Sequence, residues 1–291
     1  MTPPLTLGSV TVHRIVDIDP FVLPLKVLFP DATMDALSPA RALLDGRHVD
    51  IAGGTVLLAI QSHLIRLGGK TILIDACVGE HKPRPARPEW NLRANTRYLC
   101  NLAAAGCAPA DIDMVMCTHL HADHVGWNTM LKSGDWVPTF PNARYVMSQI
   151  EIDHRAEQAA TSAQANHGSF QDSVMPLLDY GVVTIAAAGD EIAENARIVA
   201  LPGHAPGQIG LELTAGARLL FCGDAMHSPA QVLCPEWSSA FCHDRAQAAE
   251  TRRRLLERCA GNDIMLLPAH LRAAAMRIED AAGRFRPAFI A

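Results

Sequence analysis

Thr118-His119-Leu120-His121-Ala122-Asp123-His124 is the stretch that decides how this chain is read. It follows Ile112-Asp113-Met114-Val115-Met116-Cys117, which reads as a buried strand. Side chains alternate along an extended backbone, so His119 and His121 fall on one side. Asp123 and His124 come where the chain must turn. Neutral imidazoles and a carboxylate are the ligands that zinc and similar divalent metals take. An exposed polar turn is the alternative, and each histidine taken singly would fit it. The density of ligand-type residues just after an apolar strand favours the metal.

Three further places share this character. His204 lies in Leu201-Pro202-Gly203-His204-Ala205-Pro206-Gly207-Gln208, a turn between strands where glycine lets the backbone pack closely. Asp224 ends the apolar run in Phe221-Cys222-Gly223-Asp224-Ala225, and His270 ends Leu266-Leu267-Pro268-Ala269-His270. Alone, each reads as a cap or turn residue. Together with the first cluster they make seven ligand candidates. That is too many for one tetrahedral zinc and suits two metals sharing a carboxylate.

The rest of the chain sets bounds. Of 291 residues, 49% are hydrophobic and 19% charged, enough for a substantial core in one large domain or two small ones. Lys plus Arg is 25 and Asp plus Glu is 30, so bulk charge does not point to nucleic acid. No apolar run approaches the roughly 20 residues of a membrane span. Met1-Thr2-Pro3-Pro4-Leu5 lacks the basic start of a secretory signal. The eight cysteines include no CxxC pair and several sit in apolar runs. They read as small core residues in a reducing, cytoplasmic setting.

Periodicity places the elements. Strands are expected at Val10–Ile18, Ile112–Cys117, Asn142–Met147, Val182–Ile185, Ile198–Leu201, Ile209–Leu213, Arg218–Phe221 and Ile264–Leu267. A hairpin is expected from Thr55–Leu67 through Gly68-Gly69 to Thr71–Ile74. Residues 20–50 read as a long apolar loop with one helical turn near Pro39–Leu44. Helices are expected at Asn91–Ala105, Glu151–Ala165, Phe170–Leu178 (interrupted by Pro176) and Asp244–Cys259, the last capped by Asp244. Strands and helices mix without strict βαβ alternation, which suggests sheets covered by helices.

The HxHxDH block, the later PGH, the GDA and the terminal AH resemble the metallo-β-lactamase superfamily, from the hairpin at 55–75 through His270. The resemblance implies an α/β (α+β) fold, an αββα sandwich of two mixed sheets flanked by helices. It implies a single domain over 1–291, with 1–50 as an N-terminal strand plus apolar loop extension. It gives Asp75, after Ile74, a structural role. It assigns His119, His121 and His204 to one metal, Asp123, His124 and His270 to a second, and Asp224 as the bridge. The cofactors would be two divalent ions, zinc first, with manganese, iron or cobalt as alternatives. Two such cations depress the pKa of a bridging water and supply hydroxide at neutral pH. Asp123 could also accept a proton, a weaker role for a ligand carboxylate.

Within the superfamily, Trp127-Asn128-Thr129, Trp136–Ala143 and Gly223–Pro229 resemble the group of quorum-sensing lactonases and methyl-parathion-hydrolase-like enzymes. His227 stands where those lactonases carry a tyrosine, a departure that leans toward the phosphotriesterase-like branch. Asp123, Asp224 and His227 are the catalytic candidates. His227 either donates a hydrogen bond to the developing oxyanion or orients a neighbouring group. Phe21, Leu28, Trp127, Met226, His227 and Trp237 are the substrate-contact candidates, with Leu23, Phe29 and Phe241 nearby. Core packing or a dimer contact is the alternative for each of the apolar ones. The expected substrate is a small neutral hydrophobic lactone or ester, N-acyl homoserine lactones included, with a phosphotriester second. A mononuclear-iron oxygenase, a thioester hydrolase and a non-catalytic binding module on the same fold are the rivals. No nucleic-acid or membrane partner is expected, and an exposed apolar loop would favour a homodimer.

Overall fold

Alternation along the strands builds two sheets that share one core. A computed structural model describes residues 3–44, 46–281 and 283–290. Among the described residues the first sheet holds β1 (Leu5–Leu7), β2 (Val10–Pro24), β3 (Val49–Asp50), β4 (Thr55–Leu67), β5 (Lys70–Ile74), β6 (Met114–Met116), β9 (Arg144–Met147) and β10 (Val183–Ile185). Its order is β1-β2-β4-β5-β6-β9-β10, with β3 also on β4. β7 (Thr129–Lys132) and β8 (Asp135–Pro138) form a separate hairpin. The second sheet runs in sequence order from β11 (Glu191–Ala193) through β12 (Ala196–Ala200), β13 (Ile209–Leu213), β14 (Arg218–Gly223), β15 (Ile264–Pro268) and β16 (Ala275–Asp280) to β17 (Phe285–Ile290). Both sheets are mixed: β5, β6, β9 and β10 run parallel, as do β14 and β15, and the other pairs are antiparallel.

The period of two decides which core each residue enters. Ile65, Ile72, Ile74, Met116 and Val146 of the first sheet pack against Leu219, Phe221, Met265 and Leu267 of the second. Their chain neighbours Leu64, Leu73, Val115 and Tyr145 face outward, under the Tyr98–Ala104 helix, with Tyr98 and Leu102. Leu220, Cys222, Leu266 and Met276 face the other way, under Leu255, Leu256 and Cys259 of the Arg245–Cys259 helix. The layers are therefore helix, sheet, sheet, helix. These strands are buried on both faces, which explains why they read as continuous apolar runs.

Several local expectations need correction. The strand from Val10 continues to Pro24, held by pairing from Thr11 opposite Arg66 to Pro24 opposite Thr55. The segment after Pro24 is more helical than a loop: short helical segments cover Leu25–Leu28 and the run from Met34 to Leu44. Leu37 and Leu44, seven residues apart and fully buried, supply that run's inner face. The helix expected from Asn91 starts only at Tyr98, because Leu92 and Asn95 take left-handed backbone, with φ of 50° and 55°. In the 170–178 region the break falls at Val174, and Pro176 sits in the first turn of the second helix, where a missing N–H costs nothing. β16 and β17 have no counterpart among the expected strands. Asp244 does cap its helix, accepting the Gln247 N–H at 2.9 Å.

The sheets meet at the edge where their parallel strands end. Ile209 of the second sheet donates its N–H to Thr118 O, and Ala59 of β4 donates to His270 O. All eight cysteines are free thiols. Among the described residues no helix is long and apolar enough to cross a membrane.

Candidate metal centre and its cavity

Each ligand candidate leaves a strand end at this shared edge. His119 follows β6, Asp224 follows β14, His270 follows β15, and His204 lies in the β12–β13 connection. The chain turns into one helical turn at Ala122–Val125, which carries Asp123 and His124. Two glycines make the close approaches possible. Gly223 has φ of +50°, and a Cβ there would stand 2.8 Å from Thr118 Cβ. Gly203 has φ of +124°, and its Cβ would meet Ala248 N at 2.3 Å.

The side chains converge. His121 Nδ1 lies 2.9 Å from both His119 Nε2 and His204 Nε2. One ring nitrogen has one lone pair or one hydrogen, so it cannot satisfy both contacts as hydrogen bonds. Nitrogens on a tetrahedral zinc stand about 3.3 Å apart for bonds of about 2.0–2.1 Å, close to this spacing. On the other side, His270 Nε2 is 3.7 Å from Asp123 Oδ2, and His124 Nε2 is 3.8 Å from Asp123 Oδ1. Asp224 sits between the two groups. Its Oδ2 is 3.4 Å from both His124 Nε2 and His204 Nε2, and its Oδ1 is 3.2 Å from His270 Nε2. Three of the resulting clusters are His119/His121/His204, Asp123/His124/His270 and His119/His124/Asp224.

Outer partners fix the rings. Asp75 accepts the Thr118 N–H at 2.8 Å and the Thr118 hydroxyl at 3.0 Å, and takes His124 Nδ1 at 2.9 Å. His270 Nδ1 donates to Ala59 O at 2.8 Å. These bonds leave the Nε2 atoms of His124 and His270 pointing inward. Buried Glu151 joins two ligand loops: it accepts the Leu120 N–H at 3.1 Å and the Gly207 N–H at 3.0 Å. Asn166 brackets the same loop, donating to Leu120 O at 2.6 Å and accepting from Ala122 N at 3.2 Å. Nothing in the sequence marks Glu151 or Asn166, since a carboxylate in a helix and an amide in a loop are ordinary surface residues.

The ligand imidazoles divide in two: against the lowering that burial causes, Asp224 and Asp75 raise His124, and Asp224 raises His270. Burial, with neighbouring imidazoles, pushes His119 and His121 well below the ordinary histidine pKa, and burial does the same to His204. Neutral imidazole is the ligating form. Burial alone would raise Asp224, but His270, His124 and His227 hold it well below the usual carboxylate range. His124 Nε2, Asp224 Oδ1 and both ring nitrogens of His227 are buried without hydrogen-bond partners. Unsatisfied buried groups of this kind cost about 1–3 kcal/mol each. Orphaned atoms gathered on one centre are what a bound metal would satisfy, so the donor set fits divalent ions.

A cavity of ≈280 Å³ opens onto this cluster. His121, Asp123, His204, Asp224, His227 and His270 face it. Phe21, Leu23 and Leu28 line it, as does Phe241. Three other expected contacts do not reach its wall. Trp127 turns into the core and stacks on Tyr98 at 5.2 Å. Met226 is fully buried under the Arg245–Cys259 helix. Trp237 packs in the core, 6.2 Å from Phe29. Leu58, Arg87, Trp90, Ala122, Arg155, Gln158, Asn166 and His167 complete the lining instead. His227 stands 3.2 Å from Asp224 Oδ2, with its ring against Phe29 and His204.

The sequence profile of the metallo-beta-lactamase superfamily matches residues 55–270. Comparison with curated proteins finds no match. Among solved structures, the hydrolase AbOPH of the beta lactamase superfamily superposes with a TM-score of 0.79 at 25% identity, covering 99% of this chain and 97% of that one. AidC, a dizinc quorum-quenching lactonase, gives 0.78 at 20% identity over 99% and 97%. A probable metal-dependent hydrolase from Staphylococcus aureus gives 0.73 at 18% identity over 98% of both chains.

Proposed function

The chain belongs to the metallo-β-lactamase superfamily, and on that premise we propose that this metal-dependent hydrolase cleaves a small lactone or carboxylic ester with an apolar moiety. The observation that carries this reading is the convergence of His119, His121, Asp123, His124, His204, Asp224 and His270 in one cluster, five of which face a cavity walled by Phe21, Leu23, Leu28, Leu58 and Trp90. His119, His121 and His204 would hold one divalent ion, Asp123, His124 and His270 a second, and Asp224 both. Zinc suits this mixture of imidazole and carboxylate. Bound there, the ions supply Lewis-acid activation of water and of the scissile carbonyl.

The chain's own groups do the rest. His227, whose ring nitrogens make no hydrogen bond although Nε2 lies 3.2 Å from Asp224 Oδ2, faces the cavity and donates a hydrogen bond to the oxygen that gains charge. Asp123, at 17% the more exposed of the two ligand carboxylates, faces the same space and can take a proton from the attacking water and hand it to the departing oxygen. The apolar wall seats the acyl or ring portion and excludes water. A phosphotriester is the second reading, favoured by His227 three residues after Asp224. We take residues 1–291 as one domain, because the segment before residue 50 contributes β2 and three wall residues.

Metal analysis paired with a chromogenic panel of lactones, esters, thioesters and phosphotriesters tests this. The expected result is about two ions per chain and turnover of lactone or ester. One iron per chain with oxygen consumed would overturn it, as would metal-replete protein that turns over nothing.

A further inference from the structure

Charge in the cavity is unevenly placed. Its carboxylates, Asp123 and Asp224, both belong to the ligand cluster. Outside the ligand set the charged groups on the wall are Arg87 and Arg155, with no further acid among the lining residues, and Arg155 stands close enough to His121 to act on it. Arg87 makes no side-chain hydrogen bond or ion pair among the described residues. Its guanidinium carbon instead lies 5.6 Å from the Trp90 ring centroid and 5.5 Å from that of Phe241, two rings of the same wall. Cation–π contact holds the group at the cavity while leaving its five N–H donors free.

Arg155 stands on the Gln149–Thr161 helix, 5% exposed. Its Nη1 donates to Gln158 Oε1 at 2.9 Å, and its Nε is 3.5 Å from Glu151 Oε2. Glu151 balances that charge but already accepts from Leu120 and Gly207. Gln158 spends its oxygen on Arg155, so its amide N–H groups are left to face the cavity. Arg87, Arg155 and Gln158 therefore bring donors to this part of the wall, which carries no carboxylate, beside the His167 ring. A neutral hydrocarbon substrate would leave those donors unpaired when it displaced water, a cost it could not recover.

We propose that Arg87, with Arg155 and Gln158, forms a carboxylate clamp, so that the substrate is an ester or lactone bearing a second, anionic end. This rests on the hydrolase reading and amends the neutral substrate expected from the sequence. The apolar wall takes the carbon chain, the ligand cluster takes the scissile group, and the clamp takes the distal anion. Arginine suits a planar carboxylate because it donates in a fork.

The test uses metal-loaded protein and calorimetric titration with α,ω-dicarboxylates of about four to eight carbons, each against its own monoamide. Both members of a pair keep one carboxylate for the metal centre, so the ratio of Kd values reads the second end alone. The expected result is that at least one dicarboxylate binds about tenfold or more tightly than its monoamide. That ratio should fall toward one in Arg87→Gln and be only partly retained in Arg87→Lys, which keeps the charge but loses the fork. It should also shrink as salt rises, as expected for a charge that is only partly buried. Wild-type protein that discriminates no pair overturns the clamp, as does discrimination that survives in Arg87→Gln. The two readings fail separately. Discrimination without hydrolysis of any ester sinks the hydrolase and keeps the anion site. Hydrolysis of uncharged esters without discrimination sinks only the clamp.

Discussion

Glu151→Gln probes whether the metal centre is assembled by the fold or by the ligands themselves. Glu151 is 1% exposed, and its two oxygens accept the backbone N–H groups of Leu120 and Gly207. Leu120 lies between His119 and His121, and Gly207 lies three residues after His204, so one carboxylate pins the loops that carry all three nitrogens of the first cluster. Glutamine keeps the shape but offers a single accepting oxygen. One buried N–H then faces an amide NH2, a loss of about 1–3 kcal/mol. Arg155, itself 5% exposed, also loses the anion beside it. Removing one partner of a buried pair costs about 3–5 kcal/mol, a range that includes the lost hydrogen bond. Unfolding entropy for a chain of this length is about 0.6 kcal/mol/K, which converts the loss to a Tm lower by about 5–8 °C. Metal affinity should fall by about 10–100-fold, the usual cost of losing an outer partner. Calorimetry on the metal-free protein and competition against a chromophoric chelator read the two effects separately. A Tm within about 1 °C of wild type, together with unchanged metal affinity, would refute the reasoning, since Glu151 would then be a bystander.

Asp224→Ala should lose at least one metal ion by elemental analysis and abolish hydrolysis; retention of both ions at full rate would remove Asp224 as the shared ligand. Acid stability should be set in part by two histidines outside the centre. Burial pushes His48 and His63 down to about 3, so between about 6.5 and 3 the unfolded chain binds more protons than the folded one. Their contribution is intact above pH 6.5 and is lost as pH falls, at up to about 1.4 kcal/mol per pH unit for each. Urea titrations of metal-free protein across that range should therefore show a flatter slope in a His48→Leu, His63→Leu double variant, and an unchanged slope would count against the burial argument.

The ligands are legible in the sequence because a strand buried on both faces leaves an unmistakable apolar run, and chemistry in this fold sits at the ends of such runs. His119, Asp224 and His270 each follow one, and His204 is marked by the glycine that lets it approach the neighbouring helix. The cavity wall obeys a different rule. Trp127, Met226 and Trp237 stand near ligands in the chain, yet each turns into the core, where Tyr98, the Arg245–Cys259 helix and Phe29 receive them. Trp90 and Arg87 come from a loop far in sequence from any ligand, and Leu58 comes from the middle of β4. Proximity along a chain fixes only a Cα position; which side of a turn a side chain takes is decided by where the larger apolar surface can be buried. The same distinction explains β16, whose Met276 and Ile278 alternate with the less buried Arg277 and Glu279 in a half-buried pattern, and β17, whose Pro287 is tolerated because that strand is the sheet edge. A cavity assembled from such contributions inherits its charge from residues with no common motif. Substrate preference in this chain should therefore respond to Arg87 and Arg155, which no pattern marks, more than to the aromatic residues beside the ligands.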